Sequence, residues 1–324
     1  MKASRLTLVV VLLFGGCGRE ANQGRPNDPI GNADDQSDQK VSFADARSAF
    51  RTHLVRQEKT NETVAVPPSE LFEVVHFDSP EGKLAAYLSR PQESGAKQPA
   101  IIWVFGGFDN SIGDTAWEES SPESDQSASA FREANIVMMY PSFRGGNENP
   151  GFRECCYGEV DDVLAAAEYL AKQDFVDPSR IYLGGHSTGG TLVLLAAAAS
   201  DRFRAVFSFG PIDEIIGYSG EPIPFDYKDQ QELRMRSPIN WLSSIKVPTF
   251  VFEGSDSGGN IYSLYQLKRV SKNPLVQFHP VKGKDHFSVL APMTMLIASK
   301  IILDTDHTTS IEFSAEEIKR YAKM

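Results

Sequence analysis

Between a run of strand formers, Arg180 to Leu183, and a run of helix formers, Leu192 to Ala199, the chain reads "GGHSTGGT" from Gly184 to Thr191. Four glycines at one corner imply a tight turn rather than a spacer, because glycine is needed where the backbone takes positive φ or another element comes close. Gly185-His186-Ser187-Thr188-Gly189 fits Gly-x-Ser-x-Gly, in which a strand turns sharply into a helix and lifts the serine into the open. Such a corner demands a strand before it and a helix after it. It therefore constrains the chain to strand–helix alternation around a mostly parallel sheet.

The rest of the core, taken as residues 61–324, agrees. After the "VPP" break, "LFEVVHFDSPEGKLAAYLSRP" reads as two strands joined by a Ser-Pro-Glu-Gly turn, an antiparallel hairpin. "AIIWVF" and "NIVMMY" are apolar throughout, as expected of strands covered on both faces. A helix follows near Gly158 to Lys172, then a strand from Ile181 to Gly185 and a helix from Thr188 to Ser200. Strands at Ala205 to Phe209, Pro248 to Glu253 and Val276 to Val281 precede a helix from about Val289 to Leu303. The fold class is α/β, with helices on both faces of the sheet. Pro211 to Leu242 lies after a strand's carboxyl end, where open α/β sheets bind ligands, and is expected to form a small lid or pocket wall.

A serine hydroxyl is a poor nucleophile until a base takes its proton. Of the six histidines, His286 in "GKDHFSVL" sits on a loop between the final strand and a helix, and it follows Ser187 in the order the elbow requires. The carboxylate that orients it should follow an intervening strand. Asp256 in "TFVFEGSDSGGN" is the first choice, with Glu253 and Asp213 as rivals. Backbone donors for a developing oxyanion are expected at Thr188, which begins the helix, and at Gly107 or Phe108 after "IIWVF". No CxxC or HxxxH pattern suggests a metal, and no organic cofactor is needed.

Charge and the amino-terminal region narrow the setting. The 32 basic against 43 acidic side chains leave a formal charge of −11, which repels a phosphate backbone, so nucleic acid is not an expected partner. Residues 1–16 carry two early cations and an apolar run from Leu6 to Phe14, too short to span a bilayer, and read as a signal peptide. Phe14-Gly15-Gly16-Cys17 resembles a bacterial lipoprotein signal, which implies acylation of Cys17 and a lipid anchor in the cell envelope, at the outer membrane where there are two. Residues 17–40 are polar and read as a flexible tether. Over 41–60, Phe43, Ala46, Phe50 and Leu54 recur at helical spacing and predict an amphipathic helix. Cys155 and Cys156 are adjacent and are expected to pack as thiols, since a bridge between neighbours would be strained.

From about Glu73 to Ile302 the chain resembles an α/β-hydrolase of the prolyl oligopeptidase type, on "YPSFRGG", "GEVDDVLAAAEYLA", "VDPSRIYLGGHSTGGTL", "SPINWLSSIKVPTF" and "GKDHF" in that order. The resemblance implies a serine hydrolase acting through an acyl-enzyme, an esterase or small-peptide hydrolase taking ester, amide or short-peptide substrates. Two positions depart from the family pattern: Phe105 stands where a histidine is common, and Asp256 follows Gly254 by two residues instead of three. The rival readings are a non-catalytic surface lipoprotein using the fold as a scaffold, and an acyltransferase using the same residues.

Overall fold

The computed structural model describes residues 41–90, 95–256 and 258–324. The expected signal peptide, the tether and Cys17 lie outside the described residues.

Eight strands form one sheet: β1 (Phe72–Ser79), β2 (Gly82–Ser89), β3 (Gln98–Val104), β4 (Val137–Pro141), β5 (Val176–His186), β6 (Val206–Phe209), β7 (Thr249–Gly254) and β8 (Val276–Val281). Their order is β1-β2-β4-β3-β5-β6-β7-β8. The β1–β2 hairpin and the β2–β4 pair are antiparallel, and every other pair is parallel. Side chains alternate across the sheet at period two: Ala100, Ile102 and Val104 enter one buried cluster, Ile101 and Trp103 the other.

Helices cover both faces: α1 (Phe43–Ala49), α2 (Ala130–Glu133), α3 (Glu159–Ala171), α4 (Thr188–Ala199), α5 (Gln230–Arg236), α6 (Ile261–Val270), α7 (Leu290–Leu303) and α8 (Ala315–Tyr321). The first cluster takes in α3 and α4, the second α7 and α8. Every residue of α4 from Thr188 to Ala198 is buried, which is why its sequence shows no polar face. This is the α/β-hydrolase fold expected from the sequence.

Two expectations are corrected in extent. The helix expected over 41–60 covers only Phe43–Ala49, and Phe50 is already extended (φ −102°, ψ 147°). A tertiary contact overrides the helical spacing there: buried Glu232 accepts from the Thr52 hydroxyl (2.9 Å) and the His53 amide (2.6 Å), holding that backbone straight. The insertion at 211–242 is more ordered than a surface excursion. Its charged run becomes α5, capped by Asp229, with Glu232 and Arg236 paired and buried.

Candidate active site

The elbow explains the glycine cluster. Ser187 sits at φ 57°, ψ −116° between β5 and α4, a region that costs a non-glycine residue about 1–3 kcal/mol and persists only where the surroundings enforce it. Here the Ser187 amide donates to the Phe209 carbonyl at the end of β6 (2.7 Å), and the Thr191 amide donates back to the Ser187 carbonyl (3.0 Å). A Cβ on Gly189 would lie 2.3 Å from the Val104 carbonyl oxygen, and one on Gly190 2.3 Å from that of Phe209. The helix can therefore start this close to β3 and β6 only without side chains.

The segment after β3 closes on the same corner. A Cβ at Gly106 would meet that of Ser187 at 3.0 Å. The Thr188 hydroxyl donates to the Gly107 carbonyl, which turns the Phe108 N–H, on the other side of that trans peptide, in the opposite direction. Gly107, Phe108 and Thr188 are thus brought together next to the elbow.

His286 stands on the loop between β8 and α7, where Asp285 accepts from the Phe287 and Ser288 amides (3.0 and 2.8 Å) and fixes the turn. Its Nδ1 lies 3.0 and 3.2 Å from the two carboxylate oxygens of Glu253, whose side chain is fully buried. Alternation along β7 puts Glu253 on the face of Val251, and the Asn260 amide donates to the same carboxylate (3.0 Å). A Cβ on Gly210 would lie 2.4 Å from both Glu253 Oε2 and His286 Cε1. Gly210 directly follows Phe209, whose carbonyl holds the Ser187 amide, so Ser187 and His286 stand at one rim, over the carboxyl ends of β5, β6 and β7.

The expectation that Asp256 faces His286 is corrected: Glu253 holds that position. Beyond Gly254 the chain leaves the sheet and Asp256 is exposed, its carboxylate accepting from the Gly283 amide (3.2 Å) and its amide donating to the Lys284 carbonyl (3.0 Å). It braces the histidine loop without touching the ring. Asp213 is also elsewhere, accepting from the Ser263 hydroxyl (2.7 Å).

Sequence reasoning missed three contributors. His186 is buried, and burial followed by the neighbouring His286 pushes its pKa down to about 3. Its neutral ring therefore donates from Nε2 to the His286 carbonyl (2.9 Å), since a carbonyl can only accept. Tyr218, in a 3-10 turn of the insertion, hydrogen bonds with Thr191 (3.2 Å) and with the Ser187 side chain, and packs edge-on against Phe108 at 5.0 Å. Burial raises its phenol, so it stays a donor. Asn260 donates from its side-chain amide to the Gly210 carbonyl (2.7 Å), clamping the glycine against the carboxylate. Only Tyr218 left a trace in the sequence, as a residue of the suspected pocket wall.

Cys155 and Cys156 are both free and buried at positive φ (55° and 68°). Among the described residues no group of three or more His, Cys, Asp or Glu is placed to hold a metal ion.

A serine forced into a strained strand-to-helix corner, with a histidine at the same rim braced by a buried carboxylate, places this domain among the α/β-hydrolases of the serine-nucleophile class. Residues 122–256 match the model of the prolyl oligopeptidase family. The quorum-quenching protein AidA of Acinetobacter baumannii is 30% identical over 185 residues, 57% of this chain and 58% of that protein. A prolyl endopeptidase of Elizabethkingia miricola is 26% identical over 240 residues, 65% of this chain and 33% of that enzyme. The chain thus spans less than two thirds of either relative's length. Among solved structures, the Pyrococcus horikoshii acylaminoacyl peptidase superposes with a TM-score of 0.58 at 19% identity, over 77% of this chain and 44% of its own. A Mycobacterium tuberculosis puromycin-hydrolyzing peptidase gives 0.56 at 19% identity, over 71% and 39%. At that identity the likeness is one of fold.

Proposed function

We propose that the protein is a serine hydrolase that cleaves an ester, amide or short-peptide bond through an acyl-enzyme. The observation that carries this reading is the strained Ser187 sharing a rim with His286, whose Nδ1 is held by buried Glu253. With Nδ1 donating to the carboxylate, Nε2 is the nitrogen free to act as base. Ser187 Oγ attacks the carbonyl carbon while its proton passes to His286 Nε2, and the amides of Thr188 and of Gly107 or Phe108 receive the negative oxygen. Collapse of the tetrahedral species breaks the bond to the leaving group, which takes that proton from His286. Water then attacks the acyl carbon, gives a proton to His286, and the ester to Ser187 breaks as the proton returns to Oγ. Glu253 stabilises the imidazolium throughout. The family match and the prolyl endopeptidase relative support peptide substrates.

A fluorophosphonate probe tests the reading: the folded protein should be labelled on Ser187, and Ser187→Ala should abolish both labelling and turnover. A folded wild type that takes no label would favour the scaffold reading instead. The same reading places the mature chain at the cell envelope on an acylated Cys17, supported by the Phe14-Gly15-Gly16-Cys17 pattern. Palmitate incorporation that survives Cys17→Ala would refute the anchor.

A further inference from the structure

A pair of nucleophilic side chains takes no part in the hydrolase chemistry: Cys155 and Cys156, on the turn that leads into α3. In extended backbone successive side chains point to opposite faces, which keeps neighbouring thiols apart. Here both residues take positive φ, 55° and 68°, across a trans peptide, and the Cys156 thiol donates to the Cys155 sulfur. Backbone of that kind persists only where the surroundings enforce it. Glu159 does so, its Oε1 accepting from the Glu154 amide (2.7 Å) and the Cys155 amide (3.2 Å).

The two sulfurs are not equivalent. The hydrogen bond from Cys156, joined by the guanidiniums of Arg236 and Arg153, draws the Cys155 thiol below its ordinary value against the opposing pull of burial and of Glu159. Cys156, as the donor and as a buried group, is pushed well above it. Cys155 is therefore the thiol that ionises first and the nucleophile of the pair. Cys156 keeps its proton, with Sγ 3.9 Å from the Thr188 carbonyl oxygen. Both cysteines line a cavity of about 40 Å³ beside the elbow, together with Arg153, Thr188 and Tyr218. One water needs roughly 10–15 Å³ of such space, so hydrogen peroxide, with its two oxygens, fits.

We propose that Cys155 and Cys156 form a peroxide-reactive dithiol. Cys155 Sγ, as the thiolate, attacks one oxygen of hydrogen peroxide. The O–O bond breaks, hydroxide leaves and takes up the proton that Cys155 released to become water, and Cys155 is oxidised to a sulfenic acid. Cys156 Sγ then attacks Cys155 Sγ, the S–O bond breaks, a second water leaves with the Cys156 proton, and an S–S bond joins the neighbours. The two thiols lose two electrons and the peroxide gains them. Adjacent Cα atoms of a trans peptide stand about 3.8 Å apart, below the usual span of a disulfide, so the bridge is a labile one and not a staple.

The test treats the reduced full-length protein with hydrogen peroxide at pH 7, alkylates the remaining thiols after denaturation, and weighs the tryptic peptide 154–172, which holds both cysteines. In the wild type that peptide should lose two hydrogens and take up no alkyl group, at a rate about tenfold or more above that of the same protein in urea, the gain expected of a lowered thiol pKa. Cys156→Ser should stop at a sulfenic acid on Cys155 that dimedone traps, and Cys155→Ser should leave Cys156 a free thiol. A wild-type peptide that is still doubly alkylated, one joined instead to the peptide of Cys17, equal rates with and without urea, or trapping on Cys156 in place of Cys155 overturns the inference. Should either variant not fold, the wild-type arms decide alone. None of these outcomes depends on turnover, so the inference stands apart from the hydrolase reading above.

Discussion

Two of the buried charged assemblies in this domain are built to opposite ends. Around Arg144, the guanidinium meets Asp162 through Nε and Nη2 (both 2.9 Å) and Glu154 through Nη1 (2.9 Å), with Glu81 at 3.2 Å, so nearly every polar atom has a permanent partner. At the rim, Glu253 holds one nitrogen of one imidazole, between two glycines that keep the space clear. The first assembly is closed and secures the entry to α3. The second is left incomplete on the side where a substrate arrives. Buried charge alone does not mark a reactive site; a partner with one valence to spare does.

The largest expected effect breaks that comparison at its active end. Glu253→Gln should lower kcat/KM by about 10⁴, the scale seen when the orienting carboxylate of a serine–histidine pair is neutralised, while Asp256→Asn stays within about threefold. A fall for Asp256→Asn as steep as for Glu253→Gln would return the assignment to Asp256. Next comes the closed assembly. Arg144→Leu leaves Asp162 buried without its cation and should cost about 3–5 kcal/mol in urea unfolding, more than Glu253→Gln does; equal losses would erase the distinction. Gly210→Ala puts a methyl 2.4 Å from both members of the reactive pair, and the displacement should reduce kcat by about a hundredfold.

The smallest effect concerns a third pair, Asp304 with Arg204 and Tyr182 (2.6 and 2.7 Å). Burial alone would raise this carboxyl, but the hydrogen bonds from Arg204 and Tyr182 outweigh it and hold its pKa at about 2. Because that lies below the unfolded value of about 3.9, the stabilisation is present above pH 4 and fades as pH falls toward 2. Asp304→Asn should therefore flatten the stability profile between about pH 4 and 2, read from denaturant midpoints. An unchanged slope would detach Asp304 from the closed class.

What could be read from the sequence followed physical range. The elbow, the long apolar strands and His286 are legible because strand, turn and helix signals are local, and a loop after the last strand announces itself. The carboxylate was not settled, because Asp256 and Glu253 both follow an apolar run, and only the register of β7 against β8, Glu253 opposite Pro280, decides which one turns inward. By contrast α8 went unread although its signal is local, since Ser314 and Glu317 form a capping box.

The contact between Glu232 and residues 52–53 has a consequence for engineering. With Arg236 donating to the Thr52 hydroxyl (2.7 Å) and the Glu154 carbonyl (2.8 Å), the stretch ahead of the sheet works as a clasp over the insertion and its neighbour at α3. Trimming the chain to begin at residue 61 would unbuckle it, wetting an ion pair that the intact domain keeps dry.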